Sequence, residues 1–187
     1  MIQLNGTGAI IDATNNCVDI PGRSAAYINN VSGVGKSWTV YFVMKQRYST
    51  EGNRIFDTGG WNSQKDIIIT DQSGIVYAGS WDTDTSTGIS SRDFFVGAVS
   101  FEELGDPYIS GNGKVILYDA TNDTYAVKDI PGVYLSTNNL YFGYNPGSYS
   151  ASCEMLIKYI GLVNEAESQA TMEANIEHLY NEFLANS

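Results

Sequence analysis

Residues 37–46, Ser-Trp-Thr-Val-Tyr-Phe-Val-Met-Lys-Gln, alternate cleanly. Trp38, Val40, Phe42 and Met44 fall on one side, and Thr39, Tyr41, Val43 and Lys45 on the other. This period of two is the mark of a strand with one strongly apolar face. Such a strand needs a second layer against that face. The rest of the chain supplies candidates for it. Residues 1–35 are short apolar runs broken by Gly, Asn and Pro, with 9–11, 17–20 and 25–28 as strands, and 54–58, 66–70 and 74–78 follow. The last two flank Asp71-Gln72-Ser73-Gly74, a hairpin signal. Residues 93–101, 114–119, 125–127, 140–144 and 154–163 continue the series. The polar stretch 79–91 reads either as a long functional loop or as the tail of one strand.

The pattern changes after residue 164. Residues 165–185 hold no Gly or Pro, and Met172, Ile176, Leu179 and Phe183 recur at helical spacing. Asn164 with Glu167, or Ser168, is placed to cap the start. About ten short strands followed by one helix predict an all-β, two-sheet antiparallel sandwich (1–163) with a C-terminal helix (165–185) packed across it. The 187 residues fit a single domain. No repeat of propeller or solenoid period is present.

Charge narrows the function. Ten basic residues against 21 acidic ones give a net charge of −11, which leaves no basic surface for nucleic acid and disfavours anionic membranes. No apolar run approaches a membrane span. Met1-Ile2-Gln3-Leu4 opens without a basic, then apolar, leader. The expectation is a cytoplasmic protein, one carried out in a particle such as a virion or by lysis, or one whose leader has been trimmed. Gly33-Val34-Gly35-Lys36-Ser37 is similar to the end of a phosphate-binding loop, but position 30 is Asn and a strand follows, so that reading is excluded.

In their order, 37–45, 54–57, 114–119, 140–143, and the closing 155–162 with Asn164 and its helix resemble the concanavalin A-like lectin/glucanase jelly roll, in particular laminin G-like domains. Phe94-Phe95-Val96 stands where that family often carries Trp-His-His. The resemblance implies two antiparallel sheets with the first and last strands close together. It also brings the regions of Cys17 and Cys153 near one another, so the two thiols are either buried and separate or bridged.

Sandwich glycosidases use paired carboxylates about 5–5.5 Å apart in retaining enzymes. No strand here carries such a pair, and His178 is the sole histidine, so neither a carboxylate pair nor a His-activated nucleophile is expected. Asp82-Thr83-Asp84, with Asp93 or Asp71, forms a candidate Ca²⁺ site, against the alternative of a hydrated loop. Trp61, Trp81, Tyr48, Tyr144 and Tyr149, in or beside polar loops, are the candidate ligand-binding residues, since aromatic faces and small polar groups suit sugars. The expected function is a non-catalytic surface-binding or adhesion module for glycan or protein, on a bacteriophage virion as decoration or fibre component. The partners follow: a glycan or protein surface, and homo-oligomer or virion assembly. Two alternatives remain open, a purely structural capsid or tail protein and a divergent glycan-active hydrolase.

Overall fold

Thirteen strands and one helix are found in the computed structural model, which describes residues 10–12, 17–20, 26–28, 37–48, 53–58, 66–80, 83–104, 110–134, 139–143 and 153–185. The strands are β1 (Ile10–Asp12), β2 (Cys17–Ile20), β3 (Ala26–Ile28), β4 (Trp38–Tyr48), β5 (Asn53–Asp57), β6 (Ile68–Gln72) and β7 (Ile75–Gly79). They continue as β8 (Thr85–Ser90), β9 (Phe95–Glu103), β10 (Ser110–Asp119), β11 (Thr124–Tyr134), β12 (Leu140–Phe142) and β13 (Glu154–Val163), before α1 (Gln169–Phe183). All pairings are antiparallel. One sheet runs β1-β2-β13-β4-β9-β10-β11 and the other β3-β12-β5-β6-β7-β8. The chain is thus an all-β two-sheet sandwich with one C-terminal helix, as the sequence predicts. The first strands meet the last through β2 and β13, where Val18 faces Ile157.

β4 lies between β13 and β9. Its inward residues Trp38, Val40, Phe42 and Met44 are buried in the core between the sheets, with Ile55, Phe56, Ile69 and Phe142 of the other sheet. Trp38 stacks on Phe101 at 5.9 Å, and Phe42 meets Phe95 edge-on at 6.1 Å. The strands at 95–101, 114–118 and 155–162 flank β4 within its own sheet; the facing layer comes from β3, β12, β5, β6, β7 and β8.

The other face of β4 is also closed. Tyr41 and Val43 pack with Val96, Ala98 and Ile116 under Met172, Ile176 and Leu179 of α1. The helix begins at 169 rather than 165 because the preceding segment has another task. Thr39 Oγ1 donates to the Glu165 carbonyl at 2.8 Å and accepts from the Glu167 amide at 3.0 Å, tying 165–167 to the sheet as a strap. Ser168 is the N-cap, accepting from the Thr171 amide at 3.2 Å. At the other end Lys158 donates to the Phe183 carbonyl at 3.2 Å, a cation where the helix dipole is negative. His178 is exposed, as its place opposite the apolar stripe predicts, and lies 3.5 Å from Glu182.

Two strands depart from the sequence reading. The polar stretch 79–91 contains β8, an edge strand whose single core residue is Ile89. β11 runs on through Pro131, which an edge strand tolerates because half its ladder is unused. The hairpin at Ser73-Gly74 is as expected, with φ of 56° and 91°.

The bridge between Cys17 and Cys153 is not formed; both are buried thiols. The register sets Ile20 against Met155 and Val18 against Ile157, so Cys17 lies beyond Ile157 while Cys153 lies before Met155. At about 3.3 Å per residue this exceeds the Cα spacing of about 7 Å that a disulfide can span. Cys153 instead donates to the Arg54 carbonyl at 3.1 Å, and burial pushes its thiol far above the usual range.

Two outcomes follow. A Cβ on Gly97 would stand 2.3 Å from Leu117 Cδ2 and 2.8 Å from Phe42 Cε2. Gly97→Ala is therefore expected to cost about 1–3 kcal/mol by overpacking, read from urea unfolding; an unchanged midpoint would refute the tight fit. The Tyr41 hydroxyl donates to Glu167 Oε2 and accepts from Asn175 Nδ2 at 3.0 Å. Burial, and then the bond to Glu167, raise the phenol well above its usual value. A raised acid stabilises the fold in full below its unfolded value, about pH 10, and loses that contribution as pH climbs through the folded value. Tyr41→Phe is expected to cost about 1–2 kcal/mol at pH 7 and to flatten the alkaline fall in stability above about pH 10, measured by urea titrations across that range.

Candidate functional site

With one outer face closed by α1, the outer face of the six-stranded sheet carries the concentrated polar chemistry. A local irregularity builds it. Arg54 pairs with Thr70 and Phe56 with Ile69, so Ile55 is an extra residue in β5. The bulge keeps Ile55 and Phe56 both in the core, each 0% exposed. It also brings Arg54 and Asp57, three apart, onto the same outward face, where a regular strand would set them on opposite sides. Their side chains lie 3.7 Å apart and both are buried.

Asp57, Asp66 and Asp84 surround the Arg54 guanidinium electrostatically. Burial lowers the pKa of Arg54, and the three carboxylates oppose that shift. Asp84 is held by two neighbours: Thr70 Oγ1 donates to its Oδ2 at 2.9 Å and Gln72 Nε2 at 3.2 Å. Both bonds fall on one oxygen; among the described residues none reaches Oδ1. Thr70 is buried, whereas Gln72, Tyr77 and Asp84 are half-exposed on the same side. Tyr141, opposite Asp57, extends the face along β12. The result is a polar surface whose charges are fixed from below and whose rim offers an amide, a carboxylate oxygen and phenol rings.

Of the sequence-predicted residues, Trp61, Trp81, Asp82, Tyr144 and Tyr149 lie outside the described residues. The described part of Tyr48 is its backbone, which ends β4 in register with Glu154. Asp84 is in the face just described. Asp93 is exposed and lies beyond the far end of β8 from Asp84, so strand length separates the two. Asp71 turns the other way, into the sandwich, where its Oδ1 accepts from the Gly74 amide at 3.1 Å and from Ser91. Among the described residues no cluster of three or more His, Cys, Asp or Glu side chains is placed to hold a metal. Sequence reasoning missed Arg54. Its signal was an arginine next to two adjacent core residues, Ile55-Phe56, a break in alternation that marks a bulge.

No protein-family model matches the chain, and no curated protein sequence matches it. Solved structures do. A botulinum neurotoxin serotype D/C binding domain aligns at a TM-score of 0.59 and 10% identity, over 99% of this chain and 48% of that one. A structure titled for the dependence of botulinum neurotoxin type C cell entry on two ganglioside molecules aligns at 0.53 and 15%, over 96% of this chain and 45% of that one. This chain spans about half the length of those proteins. A polysaccharide lyase family 7 alginate lyase aligns at 0.55 and 11%, over 84% and 82%. At these identities the likeness is one of fold.

The Arg54 cluster gives a direct test of the electrostatics. Arg54→Met leaves its carboxylates uncompensated in a buried place and is expected to destabilise by about 3–5 kcal/mol. Adding Asp57→Asn is expected to recover part of that loss, because a carboxylate goes with the cation. Additive losses in the double variant, read from urea midpoints, would mean that the two groups are not coupled.

Proposed function

We propose that this chain is a non-catalytic surface-binding module that takes glycans on the outer face of the six-stranded sheet. The observation that carries the reading is Asp84, fixed by Thr70 and Gln72 with Oδ1 left over, beside the half-exposed Tyr77. A rigid carboxylate oxygen and a primary amide meet sugar hydroxyls, and a phenol ring meets sugar CH groups. The net charge of −11 and the carboxylates around Arg54 favour neutral glycans over polyanions. The shared fold with toxin binding domains, one titled for ganglioside interaction, supports attachment to a surface glycan.

The alginate lyase likeness raises the enzyme reading, and the side chains argue against it. Arg54 has its charge matched by carboxylates, and His178 sits exposed on α1, which covers the other sheet. Display on a bacteriophage particle, as decoration or fibre head, extends the proposal. It is supported by the acidic composition, and among the described residues no helix is long and apolar enough to cross a membrane.

A glycan array that includes neutral oligosaccharides, gangliosides and alginate, run with and without Ca²⁺, tests the reading. Binding to neutral glycans is expected, weakened about tenfold in Kd by Gln72→Ala with Asp84→Asn. Silence on every glycan would sink it, and release of unsaturated products from alginate would replace it with a lyase.

A further inference from the structure

Where α1 begins, the strap and the helix stand off from the ends of β9, β10 and β11 and enclose a cleft of about 600 Å³. This volume lies within the range of about 300–1,000 Å³ of small-molecule sites. It belongs to the opposite outer face from Arg54. Ser100 lies in it, on β9, in register with Thr39 and Lys114 and so pointing outward under the strap. Ser100 is only 6% exposed, and among the described residues nothing bonds to its hydroxyl. A hydroxyl that opens only onto a cleft and has no partner in the protein is free to bond a ligand there.

The walls define what would fit. Glu102, Asp129 and Glu167 supply three carboxylates against the one ammonium of Lys114. That ammonium is already engaged by Asp129 and, at 3.4 Å, by Gln169 Oε1. The helix N-terminus would attract an anion, but the N-cap hydroxyl of Ser168 already accepts from the Thr171 amide, and the surplus carboxylates repel negative charge. Even with Glu167 accepting from Tyr41 and Asp129 from Lys114, acceptors outnumber free donors, so the ligand must bring hydrogen-bond donors, which a polyol supplies without a charge. Ile130, Pro131 and Ala166 give the same cleft an apolar strip for CH groups. We infer that the cleft between the strap and the β9–β11 ends is a second binding site, for a neutral polyhydroxyl ligand of one or two sugar rings. It does not depend on the Arg54 face. Together the two would let one chain bridge separate glycan strands, since they open on opposite sides of the sandwich.

The test is a titration of the ¹⁵N-labelled full chain with maltose, cellobiose and lactose, followed by amide shifts. The expected result is saturable movement of the Ser100, Lys114 and 166–169 amides by at least one disaccharide. Ser100→Val is expected to weaken it about tenfold or more in Kd. Glu102→Gln, on the exposed rim, is expected to weaken it in the same direction and guards against loss of folding in the first variant. Movement confined to the Arg54, Thr70 and Gln72 amides would overturn the second site while leaving the first intact. No response at the cleft to any of the three sugars, unchanged affinity in both variants, or a response to putrescine alone would each overturn it as well.

Discussion

From Trp38 to Met44, β4 is enclosed on every side. β13 and β9 take its two edges, the facing sheet takes Trp38, Val40, Phe42 and Met44, and α1 takes Tyr41 and Val43. A strand so placed leaves no backbone group or apolar face for water, and its neighbours inherit its register. Gly97 shows how tight that inheritance is. It faces Phe42 across one ladder and Leu117 across the other, and no side chain fits between them. The helix is therefore part of the sandwich's own structure. Tyr41, buried beneath it, carries the hydrogen bonds to Glu167 and Asn175 that join the two.

This asymmetry makes the two outer faces chemically different. On the seven-stranded sheet α1 covers the apolar surface of β4, β9 and β10, and a polar cleft lies where the strap lifts away at the helix start. On the six-stranded sheet the bulge at Ile55 exports Arg54 and Asp57 to a polar surface with the Thr70–Gln72–Asp84 set. Both proposed sites thus arise from irregularities: a strap that delays a helix by four residues, and a strand with one residue too many.

That also explains what could be read from the sequence. Period-two alternation in 38–44 and the stripe of Met172, Ile176 and Leu179 fixed two of the three layers, because each reports burial of its own side chains. β8 was not legible, since an edge strand with one inward residue has no apolar period to display. The helix start was legible only as one of two alternatives: Ser168, not Asn164, is the N-cap, so the helix begins four residues later than the 165–185 range. Residues 165–167 have helical composition, and what ties them to the sheet instead is Thr39, more than a hundred positions away in the chain. The Cys17–Cys153 bridge failed for a related reason: adjacent strands do not fix position along the strand, and the register sets the thiols apart. Arg54 and Ser100 became candidates only through their partners across the ladder.

The same sandwich carries toxin binding domains and an alginate lyase, so architecture alone does not choose between attachment and chemistry. The side chains do. Catalysis of proton transfer needs a group whose protonation changes during the reaction and whose environment permits the change. The Arg54 guanidinium is buried with Asp57, Asp66 and Asp84 around it, and Asp84 has two donors fixed to one oxygen. Groups held in this way are preorganised to accept and orient hydroxyls. A polar surface held rigid from beneath is what binding requires: the entropy of ordering the site has been met in folding, and a ligand has only its own to lose.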